Sequence, residues 1–180
     1  KKEDKEEHEF YPTPPEAARL AIPLMDKNLK WWEPCAGDGA LMNVLPIEYA
    51  SDLKPRAEGI HEADFFKSSL PSGINAMVTN PPFTLGYDMV KKCLFEHKIP
   101  CLMFMRVEYM AGKNRMDIRK HMTKMHIVSE LVKFKCQDGR VVNGNGTGRM
   151  AWMLFEPDKT PDKVELEFVL YEKLTIDDFL

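Results

Sequence analysis

Apolar positions fall along this chain in short blocks separated by polar turns, and the period changes from block to block. "KWWEP" (30–34), "PIEYAS" (46–51), "GIHEAD" (59–64), "NAMVT" (75–79) and "PCLMFMR" (100–106) are compact apolar or alternating runs, and each predicts a strand. "TPPEAARLAIPLM" (13–25) opens as a helix does, with Thr13 as N-cap, Pro14 at the first position and Glu16 three residues after the cap. Ala17, Leu20, Ala21 and Leu24 then share one face. "CAGDGALMNVL" (35–45) predicts a glycine loop running into a helix, "GYDMVKKCLFEH" (86–97) a helix, and "RMDIRKHMTK" (115–124) a basic helix. "HIVSELVKFK" (126–135), "RMAWMLFEP" (149–157) and "VELEFVLYE" (164–172) each contain a further strand. Strands alternate with helices through residue 126 and the early strands are continuously apolar, which predicts an α/β fold. Its expected form is a mainly parallel, seven-stranded sheet with helices on both faces and an antiparallel hairpin on one edge.

Composition narrows this picture only slightly. The 180 residues, 44% hydrophobic and 29% charged, suit a globular domain, expected over 10–180 behind a charged lead-in over 1–9. No apolar run is long enough to span a bilayer, and "KKEDKEEHE" has no apolar core of a secretory signal. Cys35, Cys93, Cys101 and Cys136 form no C-x-x-C pair, which predicts reduced thiols in a cytoplasmic protein and no metal site. His121 and His126, five apart, read as surface or half-buried side chains.

Charge changes the picture more, because the net −3 hides a split. Residues 1–90 carry 9 Lys+Arg against 15 Asp+Glu (−6), residues 91–149 carry 13 against 5 (+8), and residues 150–180 carry 3 against 8 (−5). A basic middle can steer an anionic partner to one face, or it can be a solvated basic surface.

In a parallel sheet, ligands bind beyond the carboxyl ends of the strands. The first strand is followed by Glu33-Pro34-Cys35-Ala36-Gly37-Asp38-Gly39. This loop lacks the third glycine of a dinucleotide fingerprint and the Gly-Lys-Ser/Thr of a phosphate loop. Its acids would repel a pyrophosphate and suit a ligand bearing an ammonium and a sulfonium. Asp52 ends the second strand, where an acid can take ribose hydroxyls. Asp64 and Phe65 follow the third, offering an acceptor and a flat apolar face to an adenine, and Asn80-Pro81-Pro82-Phe83 follows the fourth.

In this order, "EPCAGDGAL", Asp52, "DFF" at 64–66 and "NPPF" at 80–83 resemble motifs I to IV of the S-adenosylmethionine-dependent amino-methyltransferases. "FYPTP" at 10–14 resembles the N-terminal motif of N6-adenine DNA methyltransferases, and the motif order is similar to their gamma arrangement. The resemblance implies a Rossmann-like class I methyltransferase fold, S-adenosylmethionine as cofactor and DNA as partner. It implies that Phe10, Tyr11 and Thr13 close over the cofactor's methionine part, and that Glu33, Ala36 and Gly37 line methionine and ribose. Asp52 would bind the ribose hydroxyls, and Asp64 and Phe65 the cofactor's adenine. Asn80 and Pro81 would hold the target amino group, Pro82 would fix the turn, and Phe83 would stack on the target base. The same motif also serves RNA guanine N2 and protein glutamine methyltransferases, and a non-catalytic cofactor- or nucleic-acid-binding subunit is a third possibility.

One feature departs from the family. Gamma-type enzymes append a large target-recognition region, whereas fewer than a hundred residues follow NPPF here. Target reading is therefore expected from a partner subunit, a second copy, or two basic stretches. These carry Arg106, Lys113, Arg115 and Arg119 in 106–126, and Arg140 and Arg149 in the Gly/Asn-rich 137–149.

Overall fold

A computed structural model describes residues 11–135, 141–143 and 148–170; Phe10, Arg140 and the charged lead-in lie outside the described residues. Ten strands are numbered in chain order: β1 Trp31–Glu33, β2 Ile47–Asp52, β3 His61–Glu62, β4 Ala76–Thr79, β5 Cys101–Arg106, β6 Met122–Val128, β7 Lys133–Lys135, β8 Val141–Asn143, β9 Met150–Phe155 and β10 Glu165–Val169. Eight of them form one sheet in the order β10-β6-β9-β5-β4-β1-β2-β3, and β7 pairs with β8 in a separate antiparallel hairpin. β3, β2, β1, β4 and β5 are parallel to one another. β9 runs antiparallel between β5 and β6, and β10 lies parallel outside β6. The mainly parallel sheet and its antiparallel pairing near one edge are thus present, with one strand more than the seven expected.

Period-2 alternation explains why both faces are covered. On one face Trp32, Met77, Met103, Met105 and Met153 pack under Met89, Val90, Cys93 and Leu94. These four come from α2 (Gly86–Lys91) and the π-helical turn Lys92–His97 that continues it. On the other face Trp31, Val78, Leu102, Phe104 and Trp152 pack under Ala17, Ala18, Leu20, Leu41 and Leu45. The adjacent tryptophans Trp31 and Trp32 therefore point to opposite sides of the sheet, each 1% exposed, and serve packing.

Three local expectations are corrected. The first helix is short: α1 spans Pro15–Arg19 and passes into a 3₁₀ turn, Ile22–Leu24, where Pro23 cannot continue an α-helix. Thr13 does not cap it, because its hydroxyl is engaged elsewhere. The stretch after the glycine loop is a series of turns, with Asn43 N–H bonded to Gly39 O and Leu45 N–H to Leu41 O, and no regular helix. Positive φ at Gly37 (56°) and Gly39 (82°) and Pro46 at the far end leave too little chain for one. The basic helix is only α3, Met116–Arg119, since Met122–Lys124 already belong to β6. There strand pairing to β9 overrides helical spacing and buries His126 (5% exposed); His121, just ahead of β6, is buried too (8% exposed), although both were expected at the surface or half-buried.

Trp152 docks α1 onto the sheet. Its indole Nε1–H donates to Ala17 O at 2.8 Å, a buried bond joining residues 135 apart in sequence. This fixes the segment that leads from Tyr11 through Thr13 into α1.

Candidate functional site

β1 lies between β2 and β4, so the chain leaves β1 toward one side of the sheet and returns through β4 on the other. A crevice opens at such a switch point, beyond the carboxyl ends of the strands. Here it is a cavity of about 300 Å³, bounded by the turns after β1, β2 and β4 and closed from the N-terminal side by Tyr11, Pro12 and Thr13. The sequence-predicted residues Tyr11, Thr13, Glu33, Ala36, Asp52, Asn80, Pro81, Pro82 and Phe83 all line it.

The glycine loop is stitched to the end of β2. Gly37 N–H donates to Asp52 Oδ2 at 2.8 Å, Lys54 N–H to Asp52 Oδ1 at 2.7 Å, and Ala36 N–H to Ser51 O at 3.0 Å. Positive φ at Gly37 and Gly39 lets the loop curl over the strand ends, a shape a side chain would strain. Asp52 is thereby held at the rim of the cavity, and each oxygen keeps a second lone pair for a ligand hydroxyl. Gly37 does not line the cavity; its amide positions Asp52.

Glu33 is 2% exposed, and its Oε2 is buried with no hydrogen-bond partner. Burial first, then the charges of Asp52 and Asp38, push its carboxyl well above the ordinary value, against a weaker opposing bond from the Met42 backbone. Burial and the Asp52 carboxylate likewise push the Cys35 thiol up to about 12, so it stays un-ionised at neutral pH and is no nucleophile. An acidic, desolvated pocket floor with an unpartnered carboxyl oxygen fits a ligand that brings cationic or N–H donor groups.

On the opposite wall Asn80 is held by the N-terminal segment. Its Nδ2 donates to Tyr11 O at 3.2 Å and to Thr13 Oγ1 at 3.0 Å. With both N–H groups engaged, Oδ1 remains to accept a hydrogen bond from a ligand N–H. Thr13, 4% exposed, therefore acts through Asn80 and not as a helix cap. Pro81 and Pro82 carry no N–H, so the turn presents carbonyls without competing donors. The Phe83 ring lies 6.2 Å from Tyr11, and the Arg106 guanidinium sits over it at 4.9 Å.

Asp64 and Phe65 are not brought to this cavity. Asp64 caps its own turn through Phe66 N–H at 3.0 Å and pairs with Lys67 at 3.0 Å, and that bond to Lys67 holds its carboxyl below the usual value. Phe65 is buried in the core, its ring 5.3 Å from that of Trp32. Leu53, 62% exposed, lines the cavity instead and offers the flat apolar surface next to Asp52. Its position immediately after the strand-ending acid was the available signal.

The basic residues separate into two groups. Arg115 donates to Tyr109 O and stacks at 3.6 Å on the Tyr109 ring, and Arg119 donates to Met110 O at 3.0 Å. Both brace the 3₁₀ turn Val107–Ala111. Arg149 donates to Ser129 O at 2.7 Å. Lys113 is exposed. The Arg106 guanidinium makes no hydrogen bond or ion pair among the described residues, and its contact is the face of Phe83.

No helix among the described residues is long and apolar enough to cross a membrane. No protein-family model and no curated protein matches the sequence. Among solved structures, the chain is similar to a dimethyladenosine transferase from Plasmodium falciparum at TM-score 0.50 and 11% identity, over 79% of this chain and 61% of that one. It also matches an S-adenosylmethionine-dependent O-methyltransferase from Thermotoga maritima (TM-score 0.48, 12% identity, 76% of this chain and 63% of that one). A tRNA (m1A58) methyltransferase from Aquifex aeolicus matches at TM-score 0.45 and 18% identity, over 78% and 68%. The chain thus spans under two thirds of the length of the first two structures, and it shares a Rossmann-like α/β fold with the first of them.

Proposed function

We propose that this chain transfers a methyl group from S-adenosylmethionine to the exocyclic N6 amino group of adenine in DNA. The observation that carries the reading is the Asn80 amide. Its nitrogen is tied to Tyr11 and Thr13, which leaves its oxygen for an amino group beside a rigid Pro81-Pro82 turn and the Phe83 ring.

The cavity fits the cofactor by its donor set. Glu33 supplies an unpartnered buried carboxyl for an ammonium, Asp52 a carboxylate for ribose hydroxyls, and Leu53 an apolar face for a base. When bound, S-adenosylmethionine supplies an electrophilic methyl group on a sulfonium. The protein's own work is on the acceptor. An adenine amino group is a poor nucleophile because its lone pair is delocalised into the ring. Asn80 Oδ1 and the Pro81 carbonyl each accept one N–H, which draws the nitrogen toward tetrahedral geometry and frees the lone pair. No strong base is required before attack, since the proton becomes acidic only as the new N–C bond forms. Phe83 stacks on a base taken out of the helix, as enzymes that modify bases require. The basic 91–149 region supports an anionic partner, with target selection supplied by this region, by a second copy or by a partner subunit.

The deciding experiment is tritiated-methyl transfer to DNA, RNA and protein pools, followed by nucleoside identification. Label recovered from the DNA pool as N6-methyl-2′-deoxyadenosine is the expected result. Label confined to RNA guanine or to glutamine would replace the acceptor, and no transfer to any pool would leave a binding subunit.

Asp52 gives a second check. Asp52→Ala removes the acceptor for Gly37 and Lys54 amides and for the ribose hydroxyls, so cofactor binding should weaken by about 1–3 kcal/mol. Calorimetry with S-adenosylhomocysteine reads this directly, and unchanged affinity would move the ribose site elsewhere. Because the glycine loop loses an anchor too, ligand-free stability should fall in the same variant, a loss that Asp52→Asn should reduce by keeping one oxygen.

A further inference from the structure

A second cavity, of about 320 Å³, adjoins the first and shares Pro81 and Phe83 with it; Gly86, Met105, Arg106 and Tyr109 complete its lining. Its walls are fixed from behind. Tyr109 Oη accepts Tyr87 N–H at 2.8 Å, and the Arg115 guanidinium lies over the Tyr109 ring at 3.6 Å. Gly86 keeps the cavity open: a Cβ there would come within 2.9 Å of Met105 Sδ and 3.5 Å of Pro81 Cγ. Of the three arginines in 106–119, two are engaged with backbone carbonyls. Arg106, half-buried, makes no hydrogen bond or ion pair among the described residues, and its guanidinium lies over the Phe83 ring at 4.9 Å.

From these features we infer that this second cavity seats a single nucleotide unit, and that Arg106 is the residue that selects it over an amide side chain. The inference rests on the methyl-transfer reading for the placement of the reacting amino group, but the recognition is a property of the cavity alone. A guanidinium is planar and weakly hydrated, so it stacks with a purine or a phenyl ring as readily as it hydrogen-bonds. Here it lies over the Phe83 ring. With a nucleotide present, the same plane borders the base and the five donors reach a phosphate or the ring acceptors. A glutamine side chain offers neither an aromatic face nor an anion, so it gains little from either feature. Phe83, Tyr109 and Arg106 thus build a site for a flat, acceptor-rich ring, one turn of chain from the Asn80 oxygen.

Met105 provides a reporter inside the cavity that does not depend on catalysis. In protein labelled with ¹³C at the methionine methyls and saturated with S-adenosylhomocysteine, adenosine monophosphate should shift the Met105 resonance, assigned through Met105→Leu. N-acetylglutamine amide should leave it in place. Arg106→Ala should weaken the nucleotide titration about tenfold, and Arg106→Lys, which keeps charge but loses the plane, should fall between. Comparing adenosine with its monophosphate tells whether the donors meet the ring or the phosphate. A Met105 resonance indifferent to the nucleotide, an equal response to the glutamine derivative, or wild-type affinity in a folded Arg106→Ala protein each overturns the inference. If the nucleotide seats beside Met105 in an Arg106-dependent way while no methyl reaches any nucleic acid, the cavity assignment stands and the proposed activity falls.

Discussion

Asn80→Ala should reduce single-turnover methyl transfer by at least about 10²-fold, the usual consequence of deleting one preorganised hydrogen-bonding group aimed at a transition state. The structure adds a cost that the motif alone does not foretell. Because Asn80 Nδ2 bonds both Tyr11 O and Thr13 Oγ1, the alanine also frees the segment that closes the cofactor cavity. Cofactor affinity should therefore fall as well, by about 1 kcal/mol, the net worth of an ordinary hydrogen bond. Thr13→Val separates the two effects: it removes one anchor of the amide but leaves Oδ1, so its loss should be the smaller. Asn80→Asp is informative in the other direction. The aspartate keeps an acceptor for the target, but it sets an oxygen against the Tyr11 carbonyl, which has no proton to give. The Thr13 hydroxyl can rotate to donate, whereas Tyr11 O cannot, so Asn80→Asp should retain only part of the activity. Calorimetry at saturating acceptor-free conditions and rapid-quench transfer at saturating cofactor measure the two quantities apart. Wild-type transfer by Asn80→Ala would remove the Asn80-Pro81-Pro82-Phe83 turn from the chemistry altogether.

The strands of this fold were legible because burial on both faces leaves continuous apolar runs, as in "NAMVT" and "PCLMFMR", that no other element would use. The position of β9 was not legible, since "RMAWMLFEP" looks the same whether it lies at an edge or between β5 and β6. The helix read over 115–124 failed for a related reason. Met122 and Met125 fit a helical stripe, and only pairing with Phe155 and Met153 of β9 decides for strand. At the site, Asp52 and the NPPF turn were legible because strand ends converge by topology whatever the side chains do. Asp64 and Phe65 also follow a strand, but that turn points Phe65 into the core against Trp32, and Asp64 closes its own loop. An aromatic after a strand can face ligand or core, and sequence does not distinguish them. Arg115 and Arg119 show the same limit: a basic run counts charges, and only the structure reveals which guanidinia already hold backbone carbonyls.

Glu33→Gln should weaken S-adenosylmethionine binding about tenfold, the change expected when a hydrogen bond to a charged group becomes a neutral one. The same substitution should make the ligand-free protein more stable at neutral pH, and the two opposite signs have one origin. Burial and the neighbouring Asp52 and Asp38 raise the Glu33 carboxyl well above 4.5, so the native state holds a proton that the unfolded chain has released. Where the unfolded state binds fewer protons, stability falls as pH rises. The wild-type protein therefore loses stability from about pH 4.5 upward until the folded value is passed, after which the loss is constant. Glutamine has no proton to lose, so its advantage over wild type should vanish below that window and be full above it. A cationic ligand reverses the balance, because it favours the ionised carboxyl and supplies the partner that Oε2 lacks. Binding should then expel a proton, and affinity should rise with pH toward the folded value. Calorimetry in buffers of different ionisation enthalpy reads that proton directly: a slope in the wild type, and none in Glu33→Gln. Equal slopes in both proteins, or no slope in either, would mean that the cation of the ligand lies away from Glu33, and the acidic floor of the cavity would then need a different occupant.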